Sequence, residues 1–195
     1  MIVLTAVDSR NGMLFHHRRQ SQDRILRQKI LSLCAGSCLW MNAYSARQFQ
    51  TILASSSQLP SSSQLKFSSQ TDASKEQTDA SNDYINRIGT GSRIYRIQSP
   101  EQDVQKSVEI RVDDAFLEKA ALGDFVFIEN TPLLPYEKKV EKIILFQWNR
   151  NYPGDFFFDI PLQNGKWVLS HSEDFPGSSH KKITMEIYKK EGMNS

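Results

Sequence analysis

The spacing of apolar residues changes period several times along the chain, and each change marks a new element. Met1-Ile-Val-Leu-Thr-Ala-Val7 is an apolar run that stops abruptly at Asp8-Ser-Arg-Asn. It lacks a basic start and is shorter than a leader or a membrane span, so a buried first strand is expected. Asn11-Gly12 suits a turn with positive φ. After a basic stretch, Phe15-His-His-Arg-Arg-Gln20, the period becomes helical. Ile25, Leu26, Ile30, Leu31 and Leu33 predict a helix from Asp23 to about Cys34, with Ser21 as its N-cap and Gly36 just past its end. Cys38-Leu-Trp-Met41 predicts a second strand, and Tyr44 to Leu53 a short helix capped by Asn42 or Ser45.

From residue 54 to residue 86 the pattern gives way to Ser, Gln, Thr, Asp and Ala, with the near-repeats Ser55-Ser-Ser-Gln-Leu and Ser61-Ser-Ser-Gln-Leu. Such a run buries too little apolar surface to offset its ordering entropy. It is expected to be a flexible low-complexity insertion within one domain that spans residues 1–195. Alternation returns in Ser92 to Gln98 and Ser107 to Val112, which predict half-exposed strands. Asp113 or Asp114 should cap a helix from Ala115 to Leu122, closed by Gly123. Asp124-Phe-Val-Phe-Ile128 is the continuous apolar run of a central strand covered on both faces. A short helix around Tyr136 to Val140 and a strand from Lys142 to Trp148 follow, with Trp40, Phe127 and Trp148 expected in the core. This order of strands and helices predicts an α/β fold with a mainly parallel central sheet, helices on both faces and an antiparallel C-terminal strand pair.

Composition narrows the function classes. A formal charge of +2 on 195 residues demands neither nucleic acid nor an acidic membrane as partner, so any basic surface must be local. Two cysteines, Cys34 and Cys38, make neither a disulfide framework nor a zinc ligand set, and read as buried thiols of a cytoplasmic protein. The four histidines, at 16, 17, 171 and 180, do not form a metal-ligand cluster, so no metal site is expected. Gly89-Thr-Gly91-Ser is too short for a phosphate loop. Ser178, Ser179 and His180 suggest a nucleophile, but no acid that would orient His180 is identifiable from spacing, and the segment reads as a structural hairpin.

Arg150-Asn-Tyr-Pro-Gly-Asp-Phe-Phe-Phe-Asp159 and Gly177-Ser-Ser-His-Lys-Lys-Ile-Thr-Met-Glu-Ile-Tyr188 read as closing strands that carry the clearest family likeness. Together with Asn11-Gly12-Met13, Arg93 to Ser99 and Val108 to Ala120, they resemble the dihydrofolate reductase fold family, and the resemblance covers almost the whole chain outside residues 54–86. Gly154-Asp155 is similar to the family's turn before its penultimate strand, and Ser179-His180 with Met185-Glu-Ile-Tyr to its final strand. The resemblance implies that Asp23 is the catalytic carboxylate that would hold a pterin ring. The competing reading is a first-turn acid favoured by the helix dipole or an exposed partner of Arg27.

Other positions depart from the family. Met41-Asn-Ala-Tyr-Ser45 keeps only an Asn and a hydroxyl where the family cradles cofactor phosphates, and Ile128-Glu129-Asn130 replaces its Gly-Gly pair. Glu129 and Asn130 therefore disfavour NADPH, and the cofactor is left unknown. By the same resemblance, Phe146 stands in place of the hydroxyl that supports the family's acid. In exchange, His16 to Arg24 concentrates imidazoles, guanidiniums and amides before a helix N-terminus, in the region where the family positions its substrate. Arg18, Arg19, Gln22 and Ser45 are the expected ligand-binding residues; the competing reading of this run is a solvated loop. The favoured expectation is a diverged, non-catalytic module that binds a small molecule, a nucleotide, a nucleic-acid end or another anionic ligand at Arg18, Arg19 and Asp23, without a membrane partner. The alternative is an NADPH-dependent reductase of a pterin-like heterocycle with an altered cofactor groove.

Overall fold

In the computed structural model, which describes residues 1–50, 93–98 and 107–192, β1 (Ile2–Val7) lies in the middle of an eight-stranded sheet. It pairs in parallel with β7 (Phe125–Phe127) and β8 (Lys142–Gln147), and β7 pairs in turn with β4 (Cys38–Met41). β4 then pairs in parallel with β6 (Ser107–Val112). Alternation sends β1 side chains to opposite faces. Ile2, Leu4 and Ala6 join one core cluster, whereas Met1, Val3 and Val7 join the other. Phe127, Ile144 and Phe146 follow the first set, and Val126, Ile143 and Leu145 the second. This double burial is why these strands are legible as uninterrupted apolar runs.

One face is covered by α1 (Arg24–Leu33), which buries Leu26, Ile30 and Leu31. A ten-residue helix is marginal alone in water, so its stability comes from that packing, at about 1.5–3 kcal/mol for each fully buried side chain. The opposite face receives Phe116 and Leu117 of α3 (Phe116–Lys119). That helix is shorter than the expected 115–122: Ala120 turns to φ −59, ψ 128, and Gly123 at φ +81 leads into β7. α2 (Ala43–Ala46) is capped by Asn42 and continues into a 3-10 turn at Arg47–Phe49. The rest of the expected Tyr44–Leu53 helix, the 54–86 insertion, Gly89 to Gly91 and Ser92 lie outside the described residues. The helix expected near Tyr136 is a 3-10 helix, Leu134–Lys139, with Asp159 accepting from the Leu133 and Leu134 N–H groups.

The expected antiparallel C-terminal pair is present as β10 (Trp167–Phe175) and β11 (Ile183–Lys190), with β11 against β8. Its first member differs from the sequence reading. Arg150–Asp159 supplies only the two-residue β9 (Phe156–Phe157), whereas the penultimate strand of the main sheet is β10. β5 (Arg93–Gln98) runs antiparallel to β6 at the other edge and extends the parallel core there. A second, three-stranded sheet joins β2 (Gly12–Phe15), β3 (Arg18–Arg19) and β9. Cys34 and Cys38 are free thiols, and burial pushes Cys38 up to about 11. Among the described residues no helix is long and apolar enough to cross a membrane.

Candidate functional site

Asp23, not Ser21, caps α1. Its backbone is extended at φ −141, ψ 130, and Oδ1 accepts from the N–H groups of Ile25 at 2.9 Å and Leu26 at 3.1 Å. Its other oxygen is equally engaged. Oδ2 accepts from the Ser179 N–H at 2.7 Å and the Ser179 hydroxyl at 2.9 Å. Burial alone would raise the Asp23 pKa, but the N–H donors of the 178–179 loop and of Leu26, with the Ser179 hydroxyl, hold it well below the usual carboxylate range. The loop that brings Ser179 here depends on Gly177, where an added Cβ would stand 2.5 Å from Asp23 Oδ2.

The loop also delivers a histidine. His180 Nδ1 lies 3.0 Å from Ser179 Oγ and 3.6 Å from Asp23 Oδ2, so an acid does stand beside this imidazole, contrary to the expectation from spacing. Its Nε2 faces the Tyr152 hydroxyl at 3.1 Å and the Ser21 hydroxyl at 3.3 Å, and its ring stacks on Trp148. Ser179 Oγ has one proton and two acceptors in range, Asp23 Oδ2 and the Gln22 carbonyl at 2.8 Å. It therefore accepts from His180, which assigns the imidazole proton to Nδ1 and leaves Nε2 as the acceptor. Burial pushes the His180 pKa below its ordinary value despite the nearby carboxylate. Here serine bridges acid and imidazole, whereas nucleophilic catalysis needs imidazole between serine and acid. The arrangement ties the start of β11 to the start of α1. The hydroxyl beside Asp23 thus comes from Ser179, while Phe146 is fully buried against Phe175.

The basic run forms a hairpin rather than an open loop. His16 at φ 48 and His17 at φ 60 are the two central residues between β2 and β3, the positive-φ pair that a two-residue hairpin turn requires. Asp155 Oδ2 accepts from the His16 N–H at 2.8 Å, and Tyr44 donates its hydroxyl to the His17 carbonyl at 3.3 Å. Cross-strand pairing puts Leu14 and Arg19 together on the inward face, and Phe15 and Arg18 together on the outward one.

Arg19 reaches the carboxyl end of β7. Its Nε donates to Glu129 Oε1 at 3.0 Å and its Nη2 to Glu129 Oε2 at 3.3 Å and to the Tyr44 carbonyl at 3.0 Å. Gln48 Nε2 adds a donor to Glu129 Oε1 at 2.6 Å. Burial pushes the Glu129 pKa up, and Arg19 and Gln48 pull it back. Asn42 donates to Asn130 Oδ1 at 2.7 Å, while its own Oδ1 accepts from the Ser45 N–H.

Between Arg19, Gln20, Arg27, Gln48, Glu129 and Trp148 the cleft retains about 10 Å³, room for one water at most. Asp23 does not line it. Of the residues expected to bind ligand, Arg19 faces the cleft, and Ser45 is buried next to Glu129. Gln22 is exposed, with its carbonyl taken by Ser179. Arg18 is exposed, and its guanidinium has no partner among the described residues. The sequence names Arg27 only as a partner for Asp23 and does not point to Gln48. The helical interval from Asp23 to Arg27 was the available signal for the first.

No protein-family model matches this chain. No curated protein matches it either. Among solved structures it is similar to the dihydrofolate reductase from Enterococcus faecalis complexed with NADP(H) and RAB-propyl. The TM-score is 0.51, covering 98% of this chain and 96% of that one, at 9% sequence identity. With its central sheet, helices on both faces and a second small antiparallel sheet, the chain has the dihydrofolate reductase-like fold.

Proposed function

We propose that this chain is a non-catalytic binding module built on the dihydrofolate reductase-like fold, and that it receives an anionic ligand of the nucleotide type at the mouth of its closed cleft. The carrying observation is the Arg19–Glu129 ion pair, which with Gln48 fills the carboxyl ends of the strands, where open α/β sheets receive ligands. A ligand pocket normally offers about 300–1,000 Å³. Around the plug, Arg27 lines the cleft and Arg18 stands on the outward face of the hairpin; neither guanidinium has a partner among the described residues, and each presents a planar donor fork suited to phosphate.

The solved dihydrofolate reductase holds NADP(H), and the residues here do not fit such a group. Ile128-Glu129-Asn130 has no glycine to admit backbone close to a pyrophosphate, and Glu129 adds a buried carboxylate. The Asn42 side chain already satisfies the N-terminus of α2 and bridges to Asn130. The alternative, NADPH-dependent reduction of a pterin-like heterocycle, requires both Asp23 and Arg19 to surrender these bonds.

Isothermal titration with mononucleotides tests the reading. Replacing both Arg18 and Arg27 by Ala should weaken nucleotide binding at least tenfold, since each lost charged contact removes about 1.5–3 kcal/mol. Unaltered affinity in the double variant would contradict it.

A further inference from the structure

The outward face of the small sheet carries two exposed aromatic rings. Phe15 is 39% and Phe157 46% exposed, although each sits in a strand whose neighbouring residue, Leu14 or Phe156, turns inward. Neither ring is loose. The Phe15 ring meets the His16 imidazole edge-on at 4.0 Å. Phe157 Cε1 and Cζ lie 3.5 Å from the position a Gly154 Cβ would take, so its ring packs on that glycine.

A cation stands at one end of this pair of rings. Arg18 is the cross-strand partner of Phe15, and the exposed His16 and His17 extend from the same turn. At the far end Phe157 pairs with Gly12, two residues after Arg10, whose guanidinium is already taken by the Tyr152 carbonyl at 2.5 Å and the buried Asp8 carboxylate at 4.0 Å. The neighbouring Asp155 turns its carboxylate onto the His16 N–H. The run from Gly12 to Phe15 spans about 10 Å, at ~3.3 Å per strand residue. Braced aromatic faces on a sheet, with a guanidinium beside them, are a donor set that single-stranded nucleic acid uses: bases stack on the rings and phosphates meet the cation. An apolar protein partner would find its contact interrupted by these charges.

We infer that the Phe15–Phe157 face of the small sheet binds single-stranded nucleic acid, with bases stacked on the two rings and backbone phosphates on Arg18. The inference rests on the reading that Arg18 contacts a nucleotide-type anion, and it names the ligand class.

Fluorescence anisotropy of the full chain with a labelled ten-residue oligothymidylate, compared with an abasic oligomer of the same phosphate number, tests it. The base-bearing strand should bind at least tenfold more tightly. Phe15→Ala with Phe157→Ala should abolish that difference, and Phe15→Tyr with Phe157→Tyr should retain it; circular dichroism checks that both variants fold. Arg18→Ala should weaken both oligomers and lower the slope of log affinity against log salt by about one. Equal binding of the two oligomers, or full affinity in the Phe→Ala variant, overturns the inference. If mononucleotide binding still falls in the arginine variants, the nucleotide reading survives that failure. Absence of binding by both oligonucleotides and mononucleotides removes both.

Discussion

Arg19 on the small sheet and Glu129 at the end of β7 are 110 residues apart in sequence, yet they meet through two hydrogen bonds of 3.0 and 3.3 Å inside the cleft. Breaking a largely buried pair from one side leaves an unpaired charge in poor solvent. Glu129→Ala or Arg19→Ala should each lower unfolding stability by about 3–5 kcal/mol, read from urea denaturation. Arg19→Met with Glu129→Leu should recover most of that loss, because no charge is stranded. Single variants as stable as the parent would show that the pair does not hold the cleft shut.

Asp23 is a cap whose second oxygen is satisfied by Ser179. In Asp23→Asn, either the cap or the Ser179 N–H must face an amide N–H in place of an acceptor. A loss of about 1–3 kcal/mol is expected, detectable as a lower thermal midpoint. A catalytic carboxylate with no structural task would lose activity with its midpoint unchanged, so an unaltered midpoint would contradict the role assigned here.

Gly177→Ala should be destabilising by about 1–3 kcal/mol, because its Cβ would sit 2.5 Å from Asp23 Oδ2 and 2.8 Å from Ile183 Cδ1. The paired control is Gly165→Ala, where no atom lies within 4 Å of the added Cβ and the strain comes only from a φ of +79. Chemical denaturation of the two variants separates crowding from backbone strain. A Gly177→Ala loss no greater than the control's would deny the close packing of loop and cap.

His180 sets part of the pH dependence. Its folded pKa lies below the ordinary 6.5, because burial among Trp148, Tyr152 and Ser21 disfavours the cation and Arg150 repels it, more than Asp23 compensates. The unfolded chain therefore takes up a proton first. Stability should be full above about pH 6.5 and decline as the pH falls toward the depressed folded value. His180→Gln should flatten the thermal midpoint over this range. A parent midpoint that rises on acidification from pH 7 to 5.5 would reverse the assigned sign.

What was legible in the sequence depended on burial and range. β1, β4, β7 and β8 were readable because parallel strands covered on both faces are apolar throughout. β10 was not, since Val168 to Ser172 are exposed at the sheet edge and carry neither alternation nor an apolar run. The cap of α1 was misplaced by two residues because Ser21 and Asp23 are both good capping types. Only the tertiary partners Ser179 and His180 distinguish them, and no local period reports a contact across 156 residues. Glu129 was legible as an obstacle to phosphate, but its neutralisation by Arg19 depends on the positive-φ hairpin at His16-His17, two residues that do not announce that conformation.

The most direct test of the closed cleft is a thermal-shift titration of the full chain with NADPH, folates, mononucleotides and short oligonucleotides, in which selective binding raises the midpoint by mass action. A rise with mononucleotides or oligonucleotides that Arg18→Ala reduces is expected, with no rise with folates. A saturable rise with NADPH that survives Arg18→Ala and increases further with a folate would contradict the closed cleft, because both ligands would then occupy the space that Arg19 and Glu129 fill.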